Sequence, residues 1–160
     1  MGMRYTIVAV GKLKERFWAD ACAEYLKRLQ PYAKCEVREL ADVDPARVGG
    51  DAAAVEREGA AILAALASAG NPYTVLLDIG GKERSSEGLS CHLDDLAVSG
   101  VSDIAFVIGG SCGVSAAVRA QANERLSFGP ITLPHNLARV VLLEQLYRAA
   151  RISRGEPYHK

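Results

Sequence analysis

The chain has 160 residues, 49% of them apolar, and its 19 lysines and arginines balance 19 aspartates and glutamates. That length and composition predict one folded domain over residues 1–160 with a real core, and they argue against disorder. A net charge of zero is not the signature of a general nucleic-acid binder.

The predicted elements alternate in chain order. Tyr5–Val10 is an apolar run without polar alternation and reads as a buried strand. Glu15–Gln30 carries an apolar stripe of Trp18, Cys22, Tyr25, Leu26 and Leu29 at helical spacing, and it stops before Pro31. Cys35–Leu40 is a weaker strand. Asp51–Ala69 is an alanine-rich helix closed by Gly70 and Asn71-Pro72. Tyr73–Ile79 and Ile104–Ile108 are further buried strands, with a helix over Ser86–Ser99 between them. Strands that do not alternate polar with apolar are covered on both faces. The order therefore predicts a doubly wound α/β fold, a parallel-rich sheet flanked by helices.

The last third departs from this rhythm. Ser111–Glu124 reads as a glycine loop and a short helix, Leu126–Leu133 as an apolar segment broken by Gly129-Pro130, and Pro134 to about Ser153 as a helix. Val140–Leu143 are four apolar residues in a row, so this helix needs cover on several sides, from its own domain or from a second subunit. A dimer is the favoured reading.

Charge is spread unevenly. Glu36–Glu58 holds seven acids and three bases, whereas His135–Lys160 holds five bases and two acids. A polyanion would meet the C-terminal end. Cys22, Cys35, Cys91 and Cys112 have no CxxC spacing and the histidines complete no zinc pattern, so no metal is expected and the thiols suit a reducing cytoplasm. The run Tyr5–Val10 is too short for a signal peptide, and no run reaches the roughly 20 apolar residues of a membrane span.

Several motifs admit both a chemical and a structural reading. Ile108–Gly113 follows a strand, where glycines let a ligand approach the backbone or simply make a tight turn. Asp78 can hold a ribose or a cofactor amine, or cap the Ser85–Ser86 turn. Leu126–Leu133 can present main-chain groups to an adenine edge, or be a buried crossover. His135 and Arg139 share a helix face near its positive end, and are either functional or part of a solvated first turn. Glu144 and Arg148 are spaced for a helix-stabilising ion pair. The tail Arg154–Lys160 is either frayed or sets Tyr158 and His159 against a base.

Taken together, these segments resemble one family over essentially the whole chain. They are Val8–Lys14, Leu77–Lys82 with Ser85-Ser86-Glu87, Phe106–Gly110 with Gly113, Leu126-Ser127-Phe128, Thr132–His135, Arg139–Leu142, Glu144–Ala149 and Tyr158-His159-Lys160. The chain resembles the RlmH family of SPOUT methyltransferases. The resemblance implies an α/β knot, in which the C-terminal segment threads a loop to form a deep trefoil knot. It implies a homodimer that binds S-adenosylmethionine in the knot and methylates N3 of a pseudouridine in 23S rRNA of the ribosome or its large subunit. By position it assigns cofactor contacts to Leu77, Gly109, Phe128, Gly129, Pro130, Ile131, Thr132 and Leu133. It assigns RNA binding or catalysis to Arg139, Tyr147, Arg148, Tyr158 and His159. His159, His135 and Glu144 are the candidate proton acceptors, and Arg139 or Arg148 would stabilise a developing oxyanion. Zero net charge favours assembled ribosomes over naked RNA as substrate. A non-catalytic ribosome-associated factor with the same fold is the alternative.

Overall fold

The computed structural model describes residues 2–158. Among these the elements run β1 (Met3–Val10), α1 (Arg16–Leu29), β2 (Ala33–Leu40), α2 (Pro45–Val48), α3 (Asp51–Ser68), β3 (Tyr73–Glu83), α4 (Ser86–Val98), β4 (Asp103–Ile108), α5 (Ala116–Gln121), β5 (Glu124–Ser127) and α6 (His135–Ser153). The five strands form one sheet in the order β2-β1-β4-β3-β5. Every pairing is parallel.

The parallel sheet follows from the unbroken apolar runs, which leave no strand face for water. Ile7, Phe106 and Leu126 point to one face, where they pack with Leu29 of α1, Leu89 and Leu93 of α4, and Leu142, Leu143 and Leu146 of α6. Val8, Val10, Leu76 and Val107 point to the other, against Ile62 and Leu66 of α3 and Val118 of α5. The sheet is covered on both sides, as the sequence predicts.

Helix ends follow local chemistry. Ser85 caps α4 by accepting from the Gly88 amide at 2.9 Å, which satisfies an otherwise orphaned N–H. Ser115 caps α5 in the same way through Val118. Pro134 is the residue before α6 and keeps an extended conformation, so the helix starts at His135, one position later than its sequence indicates.

Three features differ from the sequence reading. β5 is a fifth strand inside a stretch read as loop and crossover, and α2 is a single extra turn. β3 runs four residues beyond Ile79 and its register breaks. Leu126 stands opposite both Leu77 and Lys82, so residues 78–81 are looped out as a bulge. Of the two covers that the sequence left open for α6, its own domain supplies a large part. Leu142, Leu143, Leu146, Tyr147 and Ala149 are buried, while Val140 and Val141 remain half-buried.

Candidate active site

β3, β4 and β5 end side by side, and the chain leaving β5 crosses in front of them. Carboxyl ends of parallel strands are where open α/β sheets hold ligands, because the connecting loops diverge there. The crossing segment, residues 128–134, belongs to no helix or strand. Buried Ser127 fixes its start. The Ser127 hydroxyl accepts from the Gly129 amide at 3.0 Å and faces the carbonyls of Ile79 at 3.0 Å and Gly129 at 3.2 Å as donor. Gly129 turns the strap with φ +99°, a backbone region that side chains disfavour.

Between strap and strand ends lies a cleft of about 230 Å³. Its walls are Leu77 and Ile79 of the β3 end, Ile108 of β4, Leu126 of β5, Ala138 of α6, and strap residues Phe128, Gly129, Ile131, Thr132 and Leu133. Six of the eight positions assigned to the cofactor by resemblance thus converge. Pro130 is the exposed residue between Gly129 and Ile131. Gly109 directly follows Ile108, and a Cβ there would lie 2.6 Å from the Val114 side chain. Ile79, Ile108, Leu126 and Ala138 were not assigned. Their signal is that Ile79 and Ile108 close apolar runs, Leu126 opens one, and Ala138 faces back from the helix that follows.

Asp78 also borders the cleft. Its carboxylate accepts from the Gly80 amide at 3.0 Å and from Arg125 at 3.1 Å, and it pairs with Arg119. The Gly80 bond, then the two arginines, hold it below the usual carboxylate range. Ser85, not Asp78, caps α4, so the capping alternative for Asp78 falls.

A second cleft, of about 350 Å³, adjoins the first. It shares Leu126, Phe128 and Gly129, and adds polar groups: Glu83, Arg84, Ser85, Ser86, Ser127 and Gln145. Ser86 and Gln145 were missed as site residues. Ser86 reads in the sequence only as a helix start, and Gln145 as a polar position on an apolar helix.

The structure does not bring Arg139 to either cleft. It is 3% exposed, so it is not part of a solvated turn. Its guanidinium donates to Glu39 at 2.5 Å and to the Gly11 carbonyl at 2.9 Å, which ties the first turns of α6 to the ends of β1 and β2. His135 packs against Gly11. The tail residue Tyr158 docks on α6. Its hydroxyl donates to Glu144 at 2.9 Å, its ring lies edge-on to Tyr147 at 4.8 Å, and Arg148 stacks over it at 4.6 Å. Arg148 also bonds Glu144 at 3.0 Å, the predicted i,i+4 pair. Burial, then the Glu144 contact, pushes the Tyr158 hydroxyl up to about 12. His159 lies outside the described residues.

Among the described residues no group of three His, Cys, Asp or Glu gathers as a metal site. No helix is long and apolar enough to cross a membrane.

An all-parallel sheet covered by helices, with an apolar cleft at its carboxyl edge crossed by a strap, defines an α/β domain with its cleft where open α/β sheets bind ligands. The family described as "Predicted SPOUT methyltransferase" matches residues 3–159. The chain belongs to the SPOUT methyltransferase family, and it is a methyltransferase. It is 51% identical to the ribosomal RNA large subunit methyltransferase H of Listeria monocytogenes serovar 1/2a over 161 aligned positions, covering 99% of this chain and 100% of that one. The same identity and coverage relate it to the protein of that name from Clostridium acetobutylicum. The protein of that name from Bacillus thuringiensis is 49% identical, with the same coverage.

Proposed function

We propose that this chain methylates large-subunit ribosomal RNA, and specifically N3 of a pseudouridine in 23S rRNA, with S-adenosylmethionine as donor. The observation that carries the reading is the strapped cleft at the ends of β3, β4 and β5. Leu77, Ile108, Phe128 and Leu133 offer apolar faces to a purine. The strap main chain, outside any helix or strand, offers N–H and C=O groups to its edge. That donor set suits a neutral adenosine, and among the described residues the cleft is lined by no cationic side chain that would repel a sulfonium. When bound, the cofactor supplies an already activated methyl group.

What remains for the protein is positioning and proton removal. Holding N3 in line with the methyl carbon supplies roughly 7–11 kcal/mol. N3 would give its electron pair to the methyl carbon while the carbon–sulfur pair stays with the departing thioether sulfur, and its proton would pass to a base; a positioned base contributes about 10²–10⁴-fold. Arg148, Tyr158 and His159 are the residues we assign to the RNA and to this proton step. Glu144 is held by Arg148 and Tyr158 and orients them. Arg139 positions α6, and with it the strap.

The chain acts as a homodimer on assembled ribosomes in this reading. Val140 and exposed Ile131 remain to be covered, and two copies double the basic C-terminal surface. Sedimentation should give twice the monomer mass. The deciding experiment is transfer of a labelled methyl group from S-adenosylmethionine to ribosomes, followed by mapping of the modified nucleoside. Label on N3 of a large-subunit pseudouridine is expected. Cofactor binding without transfer would point instead to a ribosome-associated factor.

A further inference from the structure

The second cleft lies outside the positions assigned to the cofactor apart from Phe128 and Gly129, which it shares with the first. A group held at that shared wall faces both spaces. The two linings differ in kind. The first is apolar apart from Asp78 and Thr132, whereas the second brings Arg84, Ser86 and Gln145 together from the β3–α4 turn and α6.

Gln145 is fixed from two sides. Ser86 Oγ donates to its Oε1 at 2.7 Å, and its Nε2 donates to Glu144 Oε1 at 2.7 Å. A primary amide has two N–H donors and two carbonyl lone pairs. These two bonds use one of each and leave one N–H and one carbonyl lone pair on a held amide. Glu144, through its other oxygen, holds Tyr158 and Arg148. The amide is therefore coupled through a single neighbour to the tail.

We propose that the second cleft receives the methyl-accepting base, and that Gln145 is a positioning residue that pairs with a lactam edge of that base. The proposal rests on the pseudouridine reading given above. A pseudouridine is joined to its ribose through carbon, so ring N1 keeps a hydrogen. Its N1–H donates to Gln145 Oε1, and its C2 carbonyl accepts from Gln145 Nε2. N3, on the far side of C2, makes no bond to Gln145 and faces the shared wall. In a uridine the ribose occupies N1, so this edge does not exist and the amide acceptor loses its partner. Sites built to hydrogen-bond a group reject analogues lacking it far more strongly than apolar pockets do. Gln145 takes no proton and transfers no group.

The test compares wild type, Gln145→Leu and Ser86→Ala on two ribosome preparations, carrying pseudouridine or uridine at the target position. It reads kcat/KM on each and cofactor affinity by calorimetric titration. Wild type is expected to prefer pseudouridine by tenfold or more. Gln145→Leu should lose at least tenfold on pseudouridine ribosomes and most of that preference, with cofactor Kd changed less than twofold. Ser86→Ala leaves the amide in place and frees its orientation, so it should move the same ratio in the same direction by a smaller factor, even if Gln145→Leu folds poorly. An unchanged preference in both variants overturns the proposal. So does a cofactor Kd that rises as much as kcat/KM falls, because the cleft would then belong to the cofactor's tail. Wild type that methylates neither preparation overturns the pseudouridine reading itself and this proposal with it.

Discussion

The Tyr158 hydroxyl donates to the Glu144 carboxylate at 2.9 Å, so the segment leading from α6 to Tyr158 folds back onto that helix. The neutral phenol is the form that makes this bond, and its pKa is raised to about 12. A raised folded pKa means that the contribution is complete below the ordinary tyrosine value and is lost as pH rises through about 12. Tyrosinate absorbance of wild type minus Tyr158→Phe should show one phenol titrating near that value. A midpoint at the model-peptide value of about 10 would show that the tail is not docked. The same variant keeps the ring contact with Tyr147, so we expect its melting temperature to stay within a few degrees while methyl transfer falls.

Asp78 gives a pH dependence of opposite sign. Its carboxylate is stabilised in the folded state by the Gly80 amide and by Arg119 and Arg125. The stabilisation is present above the ordinary carboxylate range and is lost as pH falls through the lowered pKa. Both arginines are about half exposed, so we expect Asp78→Asn to cost only about 1 kcal/mol at pH 7. Denaturant titrations should show the gap between wild type and variant closing in acid. A gap that is constant with pH would mean that the charge does no stabilising work.

Arg139→Met removes a buried guanidinium that serves Glu39 and the Gly11 carbonyl together. The expected cost is about 2–3 kcal/mol, because the carbonyl is left unpaired and Glu39 loses its counter-charge. Arg139→Lys should recover only part of it, since one ammonium does not reproduce the two-pronged geometry. Full stability of Arg139→Met in thermal unfolding would contradict this role.

Gly81→Ala tests the bulge in β3. A methyl group there would sit 2.7 Å from the Arg125 carbonyl carbon and 2.8 Å from its oxygen. Main chain cannot swing aside as a long side chain can, so a loss of about 1–3 kcal/mol is expected. Cofactor affinity should fall with it, because the bulge carries Asp78 and Ile79 on the cleft wall. Unchanged stability and affinity would show that β5 moves freely.

The core was legible in the residues because burial on both faces leaves a plain mark: IAFVI has no polar residue, and YTIVAV has none but Thr6 and its Tyr5 hydroxyl. β5 was not, since Glu124-Arg125-Leu126-Ser127 is four residues long and half charged, and its strand state comes from pairing with β3. The end of β3 was hidden because Gly80, Gly81 and Lys82 are poor strand formers that the bulge requires. In the site, the strap and Leu77 were reached by family resemblance. Contacts across the fold had no such route. Ser86 meets Gln145 across 59 positions, and Asp78 meets Arg119 and Arg125 across 41 and 47. Burial of Arg139 was missed because its partners lie in β2 and at Gly11, far from its own helix.

The strap draws its shape from anchors outside itself. Ser127 pins its first residues, and Arg139 secures the helix that takes over at its end. Its crest contributes little to its own path: Pro130 is exposed, and Ile131 keeps 72% of its surface in solvent. A ligand gripped there by main chain is recognised by atoms that every amino acid possesses. Exchange of Pro130 would therefore re-dress the outer surface alone, whereas Ile131, which also lines the cleft, joins that surface to the inner one.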